Sequence, residues 1–140
     1  MNRRENREAL FLMVYQSLLN DDSPEEIAQA SSDEFELIAT PAELTALIAK
    51  TKAVADYAEK ADKTIEKYSK TRKIERIPRV SVAILRVALY EMDNDESVPA
   101  KVAINEAIEL CKKYSDKQNS AFVSGLLGSY YRSLTGEEGL

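Results

Sequence analysis

Three arginines, Arg3, Arg4 and Arg7, stand in the first seven residues of a 140-residue chain whose net charge is −5. A guanidinium fork matches the geometry of a phosphate and stacks on a base. Arg3 and Arg7 are four residues apart, so on a helix they project to one side. Cations at a helix N-terminus oppose the helix dipole, which leaves the cluster without a helix-stabilising reason. Its chemistry is anion binding of the kind a nucleic-acid backbone requires; the plain alternative is a solvated charge cluster. A second group follows the polar run SDKQNS. Phe122 is either a core anchor or a platform on which an unpaired base stacks. Lys117, Gln118 and Asn119 beside it bring a charge and amide donors suited to single-stranded RNA. Tyr15 either serves in the same way or packs with its hydroxyl at the surface.

Residue types needed for most catalysis are missing. There is no histidine and no glycine before Gly125. That removes the commonest general base, any Ser-His or Cys-His pair, and a Gly-rich phosphate loop over most of the chain. The chain is therefore read as a non-enzyme without cofactor or metal. Cys111 lies on an apolar helical stripe with no histidine to activate it, and reads as a core thiol. Asp93, Asp95 and Glu96 lie in the run DNDES, which lacks EF-hand spacing and reads as a solvated turn. Gly125 and Gly128 sit in SGLLGS inside a helical pattern. They cost helix stability and are expected to admit another backbone closely. A KH-type GXXG clamp would need strands around it.

The elements that must position these residues are helical. Ser23-Pro24-Glu25-Glu26 and Thr40-Pro41-Ala42-Glu43 each read as N-cap, Pro at the first helical position, and capping-box glutamate. Pro78 and Pro99 precede long apolar-periodic stretches, and no segment alternates with the period of a strand. The expectation is an all-α chain of six to seven helices. The first covers about 4–19, with Leu10, Met13, Val14, Ser17 and Leu18 inward. A short one covers 24–30 and continues weakly towards Phe35. A long one starts near Pro41, with a stripe through Leu44, Leu47, Ile48, Thr51, Val54, Ala55, Ala58, Ile65 and Tyr68. The next, 80–92, is apolar nearly all round and therefore central. Another covers 100–114, with Val102, Ile104, Ala107, Ile108, Cys111 and Tyr114 inward. The last covers 120–134, before a frayed tail at 135–140.

Length fits one domain, 1–140, with the arginine-rich arm at 1–8. No apolar run is long enough to span a bilayer and no signal peptide is visible. A single cysteine makes no internal disulfide, so the expected setting is cytoplasmic. Charge is segregated: residues 8–49 hold nine acids and no Lys or Arg, whereas 60–79 hold eight basic residues and three acids. A basic face and an acidic face follow from that distribution.

Three stretches together carry a resemblance. VSVAILRVALYEM, VPAKVAINEAIELCKKYS and FVSGLL closely resemble the NusB family of transcription antitermination factors, and the opening RRENRE with Tyr15-Gln16 is similar to that family's arginine-rich start. The likeness is strong over 80–127, colinear in the first helix, and loose over 20–77. It implies an all-helical fold of two small helical subdomains. It implies binding of single-stranded boxA-type RNA in ribosomal RNA leaders together with NusE, the ribosomal protein uS10, and indirectly with other Nus factors and RNA polymerase, to suppress premature termination. Carried over residue by residue, the RNA-facing positions are Arg3, Arg4, Arg7, Tyr15, Gln118 and Phe122, with Lys117 and Asn119 added by proximity. The family's FVNG is FVSG here, and Ser124 reaches less far than asparagine. The lysine-rich 60–79 segment is a candidate auxiliary RNA surface. A monomer and a homodimer both stay open. The same helical domain also occurs fused to ribosomal-RNA cytosine methyltransferases; a chain ending at Leu140 leaves no room for that domain, so the unfused form is expected. The competing reading is a helical protein-interaction module with little RNA binding of its own.

Overall fold

Six α-helices and one 3-10 turn make up the described residues of the computed structural model, 1–31, 39–70 and 72–136, with no strand among them. The helices are α1 (Arg3–Asn20), α2 (Pro24–Ala30), α3 (Pro41–Tyr68), α4 (Arg79–Asn94), α5 (Ala100–Tyr114) and α6 (Lys117–Thr135), with the 3-10 turn at Ile74–Arg76. The expected extension of α2 towards Phe35 lies outside the described residues, as does most of the expected frayed tail. Contacts divide the chain into two compact units, 1–56 and 57–140.

In the first unit, helix starts are set by reciprocal caps. Asn2 accepts from the Glu5 backbone N–H at 2.8 Å, and the Glu5 carboxylate accepts from the Asn2 N–H at 3.1 Å. Ser23 with Glu26 and Thr40 with Glu43 do the same for α2 and α3, satisfying N–H groups that the helix itself leaves orphaned. Pro24 and Pro41 occupy the first helical position as the sequence predicts. α1 ends at Asp21 in the left-handed region, φ 56°. The unit buries Leu10, Phe11, Met13 and Val14 from α1, Ile27 and Ala28 from α2, and Leu47 and Val54 from α3. Thr51 is also buried, its hydroxyl donating to the Leu47 carbonyl at 2.8 Å. Two expectations are corrected. Ser17 and Leu18 are only half-buried, and Ala55 is exposed. Ser17 donates back to the Met13 carbonyl at 3.1 Å, so the last turn of α1 lies beyond the buried stripe.

In the second unit, α4, α5 and α6 pack on one another. α4 is the central element: Val82, Ala83, Ile84, Leu85, Val87, Ala88 and Leu89 are all buried. Each large side chain buried there contributes about 1.5–3 kcal/mol. Ala61 and Ile65 of α3 are buried as well. Arg86 of α4 donates to both carboxylate oxygens of Asp62 on α3, at 2.9 and 2.7 Å. The face of α5 is corrected. Ala103, Ala107, Leu110 and Cys111 are buried, whereas Val102 is 42% exposed. Ala103 and Ala107 lie on the buried face, and Val102 sits one residue, about 100°, around the helix from Ala103. α6 starts three residues earlier than its apolar pattern suggests. Asp116 accepts from the Asn119 N–H at 2.8 Å and makes the polar Lys117–Asn119 the first helical turn.

Candidate nucleic-acid interface

The arm is the first two turns of α1. Arg3 and Arg4 are exposed and Arg7 is half-buried. The acid between them, Glu5, is the capping-box partner of Asn2. It therefore holds the turn that displays the arginines, and its negative charge lies where the dipole favours one. The Met1 amino group pairs with Glu43 at 2.6 Å. That bond is the largest cause of the raised pKa of the amino group and of the lowered pKa of Glu43. It ties the first residue of the arm to the start of α3. Tyr15 is also on α1, half-buried, with its ring stacked on buried Phe11 at 5.9 Å and 8°. Phe11 thus fixes the plane of the Tyr15 ring while leaving part of it accessible.

The second group lies on α6. Lys117 and Gln118 are exposed, Asn119 and Phe122 half-buried. Phe122 is neither a sealed core residue nor a bare platform: the Arg72 guanidinium lies over its ring, 5.1 Å from the centroid. In the sequence Arg72 stands out only as part of the basic 60–79 segment. Nothing local in the sequence pairs it with a phenylalanine fifty residues on. The Ser69 hydroxyl donates to the Arg72 carbonyl at 2.6 Å, and the 3-10 turn follows at Ile74–Arg76. An open depression of about 580 Å³ lies here, lined by Glu66, Ser69, Lys70, Arg72, Lys73 and Glu75.

The glycines are corrected. A Cβ built on Gly125 would meet nothing within 4 Å, and one on Gly128 only an Arg132 side-chain nitrogen at 3.4 Å. Neither glycine admits a backbone of the described residues. Gly125 is exposed, three residues from Phe122 on the same helical side.

The remaining candidates are structural. Cys111 is fully buried, and burial, followed by the nearby Asp116 charge, pushes its thiol up to about 11. No thiolate nucleophile exists there at neutral pH. Asp93 is not in a solvated turn. It lies in the last turn of α4, half-buried, and accepts from the hydroxyls of both Tyr57 and Tyr130. Burial first, and then these bonds to Asp93, push both phenols above their ordinary range. Asp95 does form a turn, accepting from the Ser97 N–H at 3.1 Å. No cluster of potential metal ligands occurs among the described residues, and none of the described helices is long and apolar enough to cross a membrane.

The fold is all-helical, with the arginines in the first turns of α1, Tyr15 further along the same helix, and Lys117, Gln118, Asn119 and Phe122 in the first turns of α6. Comparison makes the class specific. The model of the NusB family matches residues 4–132, and the chain belongs to that family. A transcription antitermination protein NusB of Acetivibrio thermocellus is 40% identical over 128 residues, which cover 91% of this chain and 87% of that one. A structure of T. maritima NusB superposes with a TM-score of 0.81 at 25% identity, covering 100% of this chain and 94% of that one. NusB crystallised with NusE and double-stranded RNA shares the fold, with a TM-score of 0.76 at 24% identity, covering 95% of this chain and 99% of its own.

Proposed function

We propose that the chain is an antitermination factor that binds single-stranded boxA-type RNA of ribosomal RNA leaders together with NusE, acting in that complex on RNA polymerase with other Nus factors. The observation that carries the reading is the start of α6: a half-buried phenylalanine ring next to the Arg72 guanidinium, with Lys117, Gln118 and Asn119 on the helical turn that Asp116 caps. That set offers a stacking surface, a phosphate counter-charge and amide donors for base edges, the three demands of unpaired RNA. Arg3, Arg4 and Arg7 supply the phosphate contacts and Tyr15 a second ring. Family membership supports the antitermination role; the NusB structure of the same fold was crystallised with NusE and double-stranded RNA, so the single-stranded preference is this reading's own.

The test is fluorescence anisotropy of a labelled boxA-type RNA and a scrambled control, with the chain alone and with equimolar NusE, at two salt concentrations. Selective binding that tightens with NusE is the expected result. NusE binding without any RNA contribution would replace this reading with a protein-interaction module.

A further inference from the structure

We infer that Glu43 is a positioning residue for the arginine arm: by holding the Met1 amine on the start of α3 it keeps the first turns of α1 ordered for RNA. This rests on the RNA-binding reading above and adds to it a residue that itself contacts no RNA. The Glu43 carboxylate has two partners. Its Oε1 accepts from the Thr40 N–H at 2.9 Å, closing the capping box of α3. Its Oε2 accepts from the Met1 amine at 2.6 Å, across a separation of 42 residues. The capping box orients the Glu43 side chain, so the second oxygen is presented to the arm at a set position.

The arm needs such a hold. Residues 1–8 are exposed or half-buried, and the buried face of α1 begins at Ala9. A first turn outside the core frays readily, because its N–H groups have no partner within the helix. The Asn2–Glu5 cap bonds that turn to itself. The Met1–Glu43 contact joins it to a second helix, inside the one compact unit 1–56. That same bond is the first cause of the raised pKa of the amine and of the lowered pKa of Glu43, so both partners are charged at neutral pH. Arginines on an already ordered helix lose less freedom when RNA binds, and the difference appears as affinity.

The experiment measures anisotropy of the labelled boxA-type RNA with the full chain, with Glu43→Gln, and with each of these carrying an acetyl group on the Met1 amine and unmodified lysines. Glutamine keeps the capping acceptor and loses the ion pair. It also removes a negative charge near the arm, so charge alone would tighten RNA binding, whereas positioning predicts the opposite sign. Glu43→Gln is expected to bind roughly fivefold more weakly, the order of one further side chain to be immobilised on binding. Its salt slope should match the parent's, because the same arginines make the contacts. Hydrogen exchange at the amides of residues 3–8 should quicken in the variant. Acetylation is expected to weaken the parent by a similar factor and to leave Glu43→Gln unchanged, because both changes break one contact. Circular dichroism reports whether Glu43→Gln keeps its helices, and the acetylated parent tests the contact with Glu43 in place. Binding by Glu43→Gln equal to or tighter than the parent's overturns the inference. So does an equal loss on acetylation in both chains, which would make the amine itself a phosphate contact. Arg7→Ala separates this inference from the reading it rests on. If Arg7→Ala weakens binding while Glu43→Gln and the acetylated parent bind as the parent does, the inference is overturned and the RNA-binding reading stands. If the parent chain binds no single-stranded RNA, both fall.

Discussion

Asp93 shows how much one carboxylate does in this fold. Its two oxygens hold the hydroxyls of Tyr57 from α3 and Tyr130 from α6, while Asp93 itself sits on α4. Tyr57 also meets Tyr90 edge-on at 5.8 Å, and Tyr130 meets Tyr68 at 5.6 Å. Both phenols have raised pKa values, so their contribution to stability is complete below the unfolded phenol value, about 10, and is lost as pH rises towards the folded values. Stability followed by urea denaturation is expected to fall from about pH 10 upward. In the Tyr57→Phe, Tyr130→Phe double variant that part of the alkaline loss should be absent; an identical alkaline profile would rule the clamp out. Cys111 gives a second expectation at this scale. With its thiol pushed up to about 11, alkylation of the native chain at neutral pH should be slow and should reach the rate of a free thiol only on unfolding. A native rate equal to the unfolded one would contradict its burial.

Helix α6 carries an interior glycine that costs it local stability. Asp116 caps it, Val123, Leu126 and Leu127 bury one face, and Gly136 closes it at φ 76°. Gly125 lies exposed in its middle with nothing near its missing Cβ. A helix-interior glycine costs about 0.5–1 kcal/mol relative to alanine. Gly125→Ala should therefore raise the urea midpoint by an amount corresponding to about 0.5–1 kcal/mol. Unchanged or lower stability would mean that a neighbour does need the space. If RNA also runs over this face, the same variant should bind it less well, because Gly125 is three residues from Phe122.

For the whole molecule, a net charge of −5 means that RNA bound as proposed would meet local cations against an unfavourable long-range field. The salt dependence then counts contacts. With the three arm arginines as the phosphate contacts, log K should fall against log salt with a slope of about −2. A slope near zero for a chain that still binds selectively would place the affinity in stacking and hydrogen bonds instead. Arg7→Ala should make the slope shallower by about 0.7 without changing helicity.

Helix class, the Ser23 and Thr40 caps and the central role of α4 are legible in the sequence, because each rests on short-range physics. Proline at a first turn, a capping box and a 3.6-residue apolar period act within a few residues. The Asn2–Glu5 cap lies among arginines and precedes no proline, so it carries no strong start signal. The first turn of α6 is polar and carries no apolar period. The buried face of α5 runs through small alanines, whereas Val102, a stronger apolar signal, lies outside it. The arm, Tyr15 and Phe122 were visible as residue types. What only tertiary structure decided was pairing over long separations: Arg72 on Phe122, and Asp93 between Tyr57 and Tyr130. No local period encodes those meetings; they arise when helices already formed are packed together, and side chains from separate turns come within reach.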